Sequence, residues 1–137
     1  MDCIESIVQQ TGPGSYEIIV VDNDSKDGAK EKILTAYPGI QWLQLDYNAG
    51  FARANNAGMK AAKGEYYLIL NADTVILDNA INKSLALLKK YPGAVGCGIQ
   101  LLNTDGSTQI SGAHFIKGGL NTLLPLPYLG KLIRYLG

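Results

Sequence analysis

Three short polar clusters carry side chains able to do chemistry: Asp22-Asn23-Asp24-Ser25, Asn48-Ala49-Gly50 with Arg53 beyond it, and Asn71-Ala72-Asp73. A nucleoside diphosphate would use these groups well. Its base and ribose need hydrogen-bond partners, which Asp22 and Arg53 suit, and its diphosphate needs a bridging cation, which Asp73 suits. Hard Mg²⁺ or Mn²⁺ prefers oxygen ligands, and one protein carboxylate completed by phosphate oxygens and water is a usual arrangement. Each cluster also has a plainer reading. Asp22 to Asp27 reads as a turn whose side chains cap the next helix, Asn48-Ala49-Gly50 as a turn with glycine at positive φ, and Asp73 as the end of a strand. What separates the readings is whether the fold gathers all three.

The elements that must position them follow from periodicity. Cys3, Ile4, Ile7 and Val8 recur at helical spacing, which predicts a helix from 2 to about 10, ending before Thr11-Gly12-Pro13-Gly14. Tyr16 to Val21 (YEIIVV) is a short β-branched run, the pattern of a strand buried on both faces in a parallel sheet. Ile33, Leu34 and Tyr37 predict a helix over 28–37, closed by Pro38-Gly39, and Ile40 to Leu45 (IQWLQL) is the next strand. Phe51 to Lys63 is a helix with Ala54, Ala57, Gly58 and Ala61 on one side, small enough to lie close to a sheet, with Gly64 as its C-cap.

Tyr66 to Leu70 (YYLIL) reads as a third strand. Asp78 is expected to cap a helix whose Ile81, Leu85 and Leu88 face inward and which ends at Tyr91-Pro92-Gly93. Ala94 to Leu102 reads as a further strand, and Asn103-Thr104-Asp105-Gly106 has hairpin-turn chemistry that returns Ser107 to Ile110 antiparallel. Strands alternating with helices predict an α/β fold with a Rossmann-like, mostly parallel sheet and right-handed crossovers. The expectation is one domain over 1–137, an α/β core of 1–102 followed by a hairpin and a C-terminal helical segment. In such sheets ligands bind outside the carboxyl ends of the strands, and each polar cluster follows a predicted strand.

Composition narrows the function classes. With 12 Lys plus Arg against 12 Asp plus Glu there is no global field to attract nucleic acid. Cys3 and Cys97 lack metal-type spacing and suit reduced thiols. No apolar run reaches the roughly 20 residues of a membrane helix, and Met1-Asp2-Cys3 begins no signal peptide, so a cytoplasmic location is expected. The apolar stretch Leu120 to Leu136, with Lys131 and Arg134 interleaved, reads as a packing helix or as a peripheral contact at the inner membrane face. There is no glycine-rich dinucleotide turn, no P-loop and no Ser-His-Asp elbow, and the single histidine, His114, reads as a packing or surface residue.

The chain resembles the inverting glycosyltransferase family 2, in particular its bacterial rhamnosyltransferase-like members. The resemblance rests on Ile4-Glu5-Ser6-Ile7, on IIVVDNDSKDGA from Ile18 to Ala29, on NAGFARANNAG from Asn48 to Gly58, and on KGEYYLILNAD from Lys63 to Asp73. It covers about the first hundred residues, with its motifs in order. It implies the GT-A nucleotide-diphospho-sugar transferase fold, with Asp22 at the nucleoside and Asp24 nearby. Asn48, Gly50 and Arg53 would line the nucleotide pocket, and Asn71-Ala72-Asp73 would be the metal motif. Asn71 stands where the family has a first acidic residue, so the metal is assigned to Asp73 with Asn71 in support.

The implied reaction takes a UDP- or dTDP-sugar, dTDP-rhamnose by analogy, and transfers the sugar with inversion to a polysaccharide or glycolipid acceptor. The family's general base lies in a later acidic motif with no counterpart among Asp78 and Asp105, and the family's first strand, central in its sheet, has no counterpart before the first helix. The expectation is therefore a fragment truncated at both ends, with little or no transfer activity, its gap in the sheet filled by direct pairing of the remaining strands, by a further segment or by a second copy in a homodimer. Two other classes compete: a receiver-like module using Asp22 and Asp24 as its acidic pair, which lacks the acceptor aspartate and late lysine, and a non-catalytic oligomerisation module.

Overall fold

The computed structural model of the protein describes residues 1–12 and 16–109. The expectations for Ile110, His114 and Leu120–Leu136 lie outside the described residues. The chain forms two compact units, one of Met1–Val95 and one beginning at Gly96.

In the first unit the helices arise where apolar residues recur at helical spacing: α1 Asp2–Thr11, α2 Ala29–Ala36, α3 Phe51–Ala61 and α4 Ala80–Lys89. Two ends differ from expectation. α3 stops at Ala62, not Gly64, because Ala62 turns to an extended conformation after donating its N–H to Gly58 O. α4 is not capped by Asp78. It starts from Asn79 in the left-handed region, and the Asp78 carboxylate is engaged by Lys83 Nζ.

Strand β1, Ile19–Asp22, pairs in parallel with β2, Gln41–Gln44, from Ile19 opposite Gln41 to Asp22 opposite Gln44. Hydrogen bonds from Gln41 N to Ile18 O and from Leu45 N to Asp22 O extend the ladder at both ends. α2 is the crossover between the two strands, and α3 packs on β1. The close approach depends on Gly58, where a Cβ would stand 2.9 Å from Val21 Cγ2. The fold is thus α/β with parallel strands flanked by helices, as the alternating pattern predicts.

The sheet is smaller than that pattern implies. Among the described residues β1 and β2 form a two-stranded sheet, and Ile19 to Val21 are half-buried and not covered on both faces. Tyr66–Leu70 joins no ladder. Strand propensity measures fit to a pleated surface, and a strand exists only beside a neighbour with free N–H and C=O groups. Among the described residues β1 pairs with β2 alone and not with this segment, and Tyr67 and Ile69 stay 54% and 50% exposed.

In the second unit the expected strand Ala94–Leu102 shrinks to β3, Leu101–Leu102, which pairs antiparallel with β4, Thr108–Gln109. Gly96 and Gly98 interrupt the run, removing side chains that would pack and leaving a backbone costly to order. The turn between the strands is closed by Gly106 N to Asn103 O at 2.9 Å and Asn103 N to Ser107 O at 2.8 Å, with Gly106 at φ 82°.

Only five described residues are buried: Ile4, Ile40 and Ile76, with the polar Ser6 and Asp22. The α3–β1 contact is therefore sensitive to volume. Gly58→Val is expected to destabilise the chain by about 1–3 kcal/mol in urea denaturation, from overpacking against Val21. Adding Val21→Ala should recover part of that loss, which a purely helix-propensity effect would not allow.

Candidate functional site

Asp22 closes β1 and is one of the two buried polar residues among those described. Burial by itself raises the pKa of its carboxyl. Hydrogen bonds from the Ser25 backbone and hydroxyl, the Gln44 side chain and the charge of Lys30 outweigh burial and hold it below its ordinary 3.8. The Ser25 N–H lies 2.7 Å from Asp22 Oδ1. To make this bond the chain turns sharply, and Asp24 takes φ 68°, a left-handed conformation that aspartate tolerates better than most residues. Asp22, Ser25, Lys26, Lys30 and Gln44 line an open depression of about 280 Å³.

The capping role expected for this cluster is also present, one residue group further on. Asp27 Oδ1 accepts the Ala29 N–H at 3.0 Å and the Ser25 hydroxyl at 3.2 Å, while Gly28 at φ 70° leads into α2. Asp27 thus serves the helix while it also lines the depression beside Asp22.

The second cluster is clasped to the first. Asn23 Nδ2 donates to Asn48 Oδ1 at 2.8 Å, and Asn23 Oδ1 accepts the Ala49 N–H at 2.8 Å. Asn48 Oδ1 also accepts the Gly50 N–H at 3.0 Å. Both amide groups of Asn23 are used across 25 residues of sequence, so the start of α3 is fixed to the end of β1. Gly50, at φ 79°, supplies the backbone turn into α3. Arg53 is exposed one turn in, with no hydrogen bond or ion pair among the described residues. Sequence reasoning missed Asn23 as a structural link. The available signal was a pair of asparagines, each just beyond a predicted strand, whose amides are mutually complementary.

The third cluster is a tight turn. Asn71 O accepts the Thr74 N–H at 3.2 Å and the Thr74 hydroxyl at 2.7 Å. The side chains of Asn71 and Asp73 are exposed and make no hydrogen bond among the described residues. No hydrogen bond links this turn to Asp22, Asp24, Asn48, Gly50 or Arg53; its polar ties run to α1. Hydrogen bonds therefore join two of the clusters directly and tie the third to α1 instead. Among the described residues no three His, Cys, Asp or Glu side chains group as a metal cage. The donor set at Asp73 is one unencumbered carboxylate with the Asn71 amide two residues before it. That fits a hard cation which keeps waters and takes phosphate oxygens.

A family model described as "Glycosyl transferase family 2" matches residues 2–134. The poly-beta-1,6-N-acetyl-D-glucosamine synthase of Staphylococcus epidermidis is 36% identical over 97% of this chain and 31% of its own length. Glycosyltransferase AglE of Haloferax volcanii is 37% identical over 52% of this chain and 25% of its own length. The UDP-Glc:alpha-D-GlcNAc-diphosphoundecaprenol beta-1,3-glucosyltransferase of Escherichia coli is 30% identical over 64% of this chain and 34% of its own length. The chain spans about a quarter to a third of the length of these curated relatives. No solved structure matches it significantly.

Two outcomes follow from the geometry. Asp22 is held low in the folded state, so the stability it contributes is complete above its unfolded value near 3.8 and is lost as pH falls through the lower folded value. Urea midpoints measured from pH 5 down to pH 2 should show this loss, and Asp22→Asn should remove it. The comparison is best made in an Asp105→Asn background, because Ser107 holds Asp105 low with the same sign. Asn23→Ala strips the Ala49 N–H of its acceptor and should cost about 1–3 kcal/mol in the same assay, of which Asn23→Asp, still an acceptor, returns part.

Proposed function

The chain belongs to glycosyl transferase family 2, and from that premise we propose that its polar rim is the donor site of a sugar transfer from a nucleoside diphosphate. The observation that carries the reading is the Asn23–Asn48 clasp. It brings the Asp22 turn and the Arg53-bearing start of α3 together at the carboxyl ends of the paired strands, the place where α/β sheets bind ligands. Asp22 and Arg53 would take the nucleoside by hydrogen bonds, with Asp24 and Gly50 shaping the backbone around it. Asp73, supported by Asn71, would hold Mg²⁺ or Mn²⁺ at the diphosphate.

When bound, that cation offsets the charge that develops on the departing diphosphate. The chain's own part is to orient. Asp22, anionic at neutral pH and fixed by Ser25, is preorganised to accept hydrogen bonds from the base or ribose without reorganising on binding. An acceptor hydroxyl would then attack the anomeric carbon from the face opposite the diphosphate, inverting that centre. Asp78 is paired with Lys83 and Asp105 is held by Ser107, so neither is assigned the proton from that hydroxyl.

For the donor we propose a UDP- or dTDP-sugar. The relative from Escherichia coli is named for UDP-Glc and a GlcNAc-diphosphoundecaprenol acceptor, and the one from Staphylococcus epidermidis for a poly-N-acetyl-D-glucosamine. These names favour a UDP-hexose over dTDP-rhamnose, and a glycan or lipid-linked acceptor. A cytoplasmic location at the inner membrane face belongs to the same proposal. Among the described residues no helix is long and apolar enough to cross a membrane.

Calorimetric titration tests the donor site. UDP or dTDP should bind the chain, with Mn²⁺ tightening the complex by about tenfold, roughly 1.4 kcal/mol. Asp73→Asn should abolish the Mn²⁺ gain alone, whereas Arg53→Ala should weaken binding with and without the metal. Absence of binding by both nucleotides in the presence of Mn²⁺ would sink the reading.

A further inference from the structure

The turn that carries Asp73 follows a segment, Tyr66–Leu70, that has no ladder to hold it. A catalytic carboxylate on such a turn needs another anchor. The structure provides one along a single face of α1, where residues at positions i, i+3 and i+7 meet the chain beyond Leu70 in parallel order. The Cys3 thiol donates to Asn71 O at 3.6 Å and lies 4.0 Å from Thr74 Oγ1. Ser6 Oγ accepts the Ile76 N–H at 2.9 Å, and Gln10 Oε1 accepts the Asn79 N–H at 3.2 Å. Beyond them Thr11 O accepts from Asn82 Nδ2 at 3.1 Å.

Ser6 is the pivot of this row. Its hydroxyl donates to Cys3 O at 2.7 Å while accepting from Ile76, so its donor and one of its acceptor positions are used. Ser6 is 7% exposed, between the buried Ile4 on the same helix and the buried Ile76 whose N–H it receives. A buried N–H without an acceptor is strongly disfavoured, so this one hydroxyl decides where residue 76 sits against the helix. Asp73 lies three residues before Ile76 and two after Asn71, bracketed by the Ser6 and Cys3 contacts. Its own side chain is tied to nothing among the described residues, so its location is inherited from those two contacts.

Resting on the donor-site reading above, we propose that α1 is the positioning element of the Asp73 turn and that Ser6 is its positioning residue. Ser6 touches no substrate. It sets the metal-binding carboxylate in place through the Ile76 backbone, independently of the Asn23–Asn48 clasp that sets the nucleoside side. The two halves of the donor site are therefore held by separate devices, and damage to one should leave the other working.

The test uses the 137-residue chain with UDP, with and without Mn²⁺, alongside amide hydrogen exchange. In Ser6→Ala the amides of residues 74–79 should exchange about tenfold faster, while those of β1 and β2 keep their protection. The Mn²⁺-dependent gain in UDP affinity should fall by about fivefold or more, Mn²⁺-free UDP binding should stay within about twofold, and Ser6→Thr, which keeps the hydroxyl, should restore the gain. Cys3→Ala, which removes the thiol contacts to Asn71 and Thr74 but leaves the Ile76 bond, should move the same quantities in the same direction by less, and it serves as the folded variant if Ser6→Ala does not fold. Unchanged exchange at 74–79, or equal loss of Mn²⁺-dependent and Mn²⁺-free binding, overturns the proposal. If the unsubstituted chain shows no Mn²⁺-dependent UDP binding, the donor-site reading falls and takes this inference with it. If that binding is normal and both variants leave it intact, the inference alone falls.

Discussion

A buried polar group must find a hydrogen-bond partner, and in this chain that constraint governs the site. Among the described residues two of the five buried ones are polar, Ser6 and Asp22. Each is satisfied by a backbone N–H from a loop that carries candidate chemistry, Ile76 for Ser6 and Ser25 for Asp22. With so few buried apolar side chains, hydrophobic packing alone specifies little about those loops. The directional bonds do that work, since an unpaired buried donor or acceptor costs more than a typical hydrogen bond contributes net.

The same logic explains which parts of the fold were legible in the residues. α1, α2, α3 and the β1–β2 pair follow from local periodicity and from the parallel-strand pattern of Ile18–Val21, because each is stabilised by neighbours close in sequence or by one crossover. Tyr66–Leu70 has the same pattern and is no strand, since a ladder depends on a partner that local composition does not encode. Ala94–Leu102 shortened for a different reason: Gly96 and Gly98 weaken the middle of the run, a cost outweighed in the reading by the apolar residues around them. Asp78 is not the cap because α4 begins one residue later, from Asn79, and the exposed Asp78 carboxylate lies against Lys83 instead.

At the candidate site, residue types were easier to read than linkages. Asp22, Arg53 and Asp73 stand out by charge and by position after predicted strands. Asn23 and Ser6 do not, because an asparagine in a turn and a serine on a helix are ordinary until their partners are known. Yet Asn23 joins two clusters and Ser6 anchors the third. That the third cluster is tied to α1 and not to the other two is likewise invisible in a string of residues.

The uncovered run at Tyr66–Leu70 also bears on how the protein behaves in company. Five consecutive apolar or aromatic residues, free of proline and charge and rich in strand formers, make the kind of segment that self-associates through cross-strand stacking. Lys63, Gly64 and Glu65 before it and Asn71 and Asp73 after it act as gatekeepers, placing charge and a strand breaker at its borders. Two of these five flanking residues belong to the candidate metal motif, so a substitution there would remove a gatekeeper as well as a ligand.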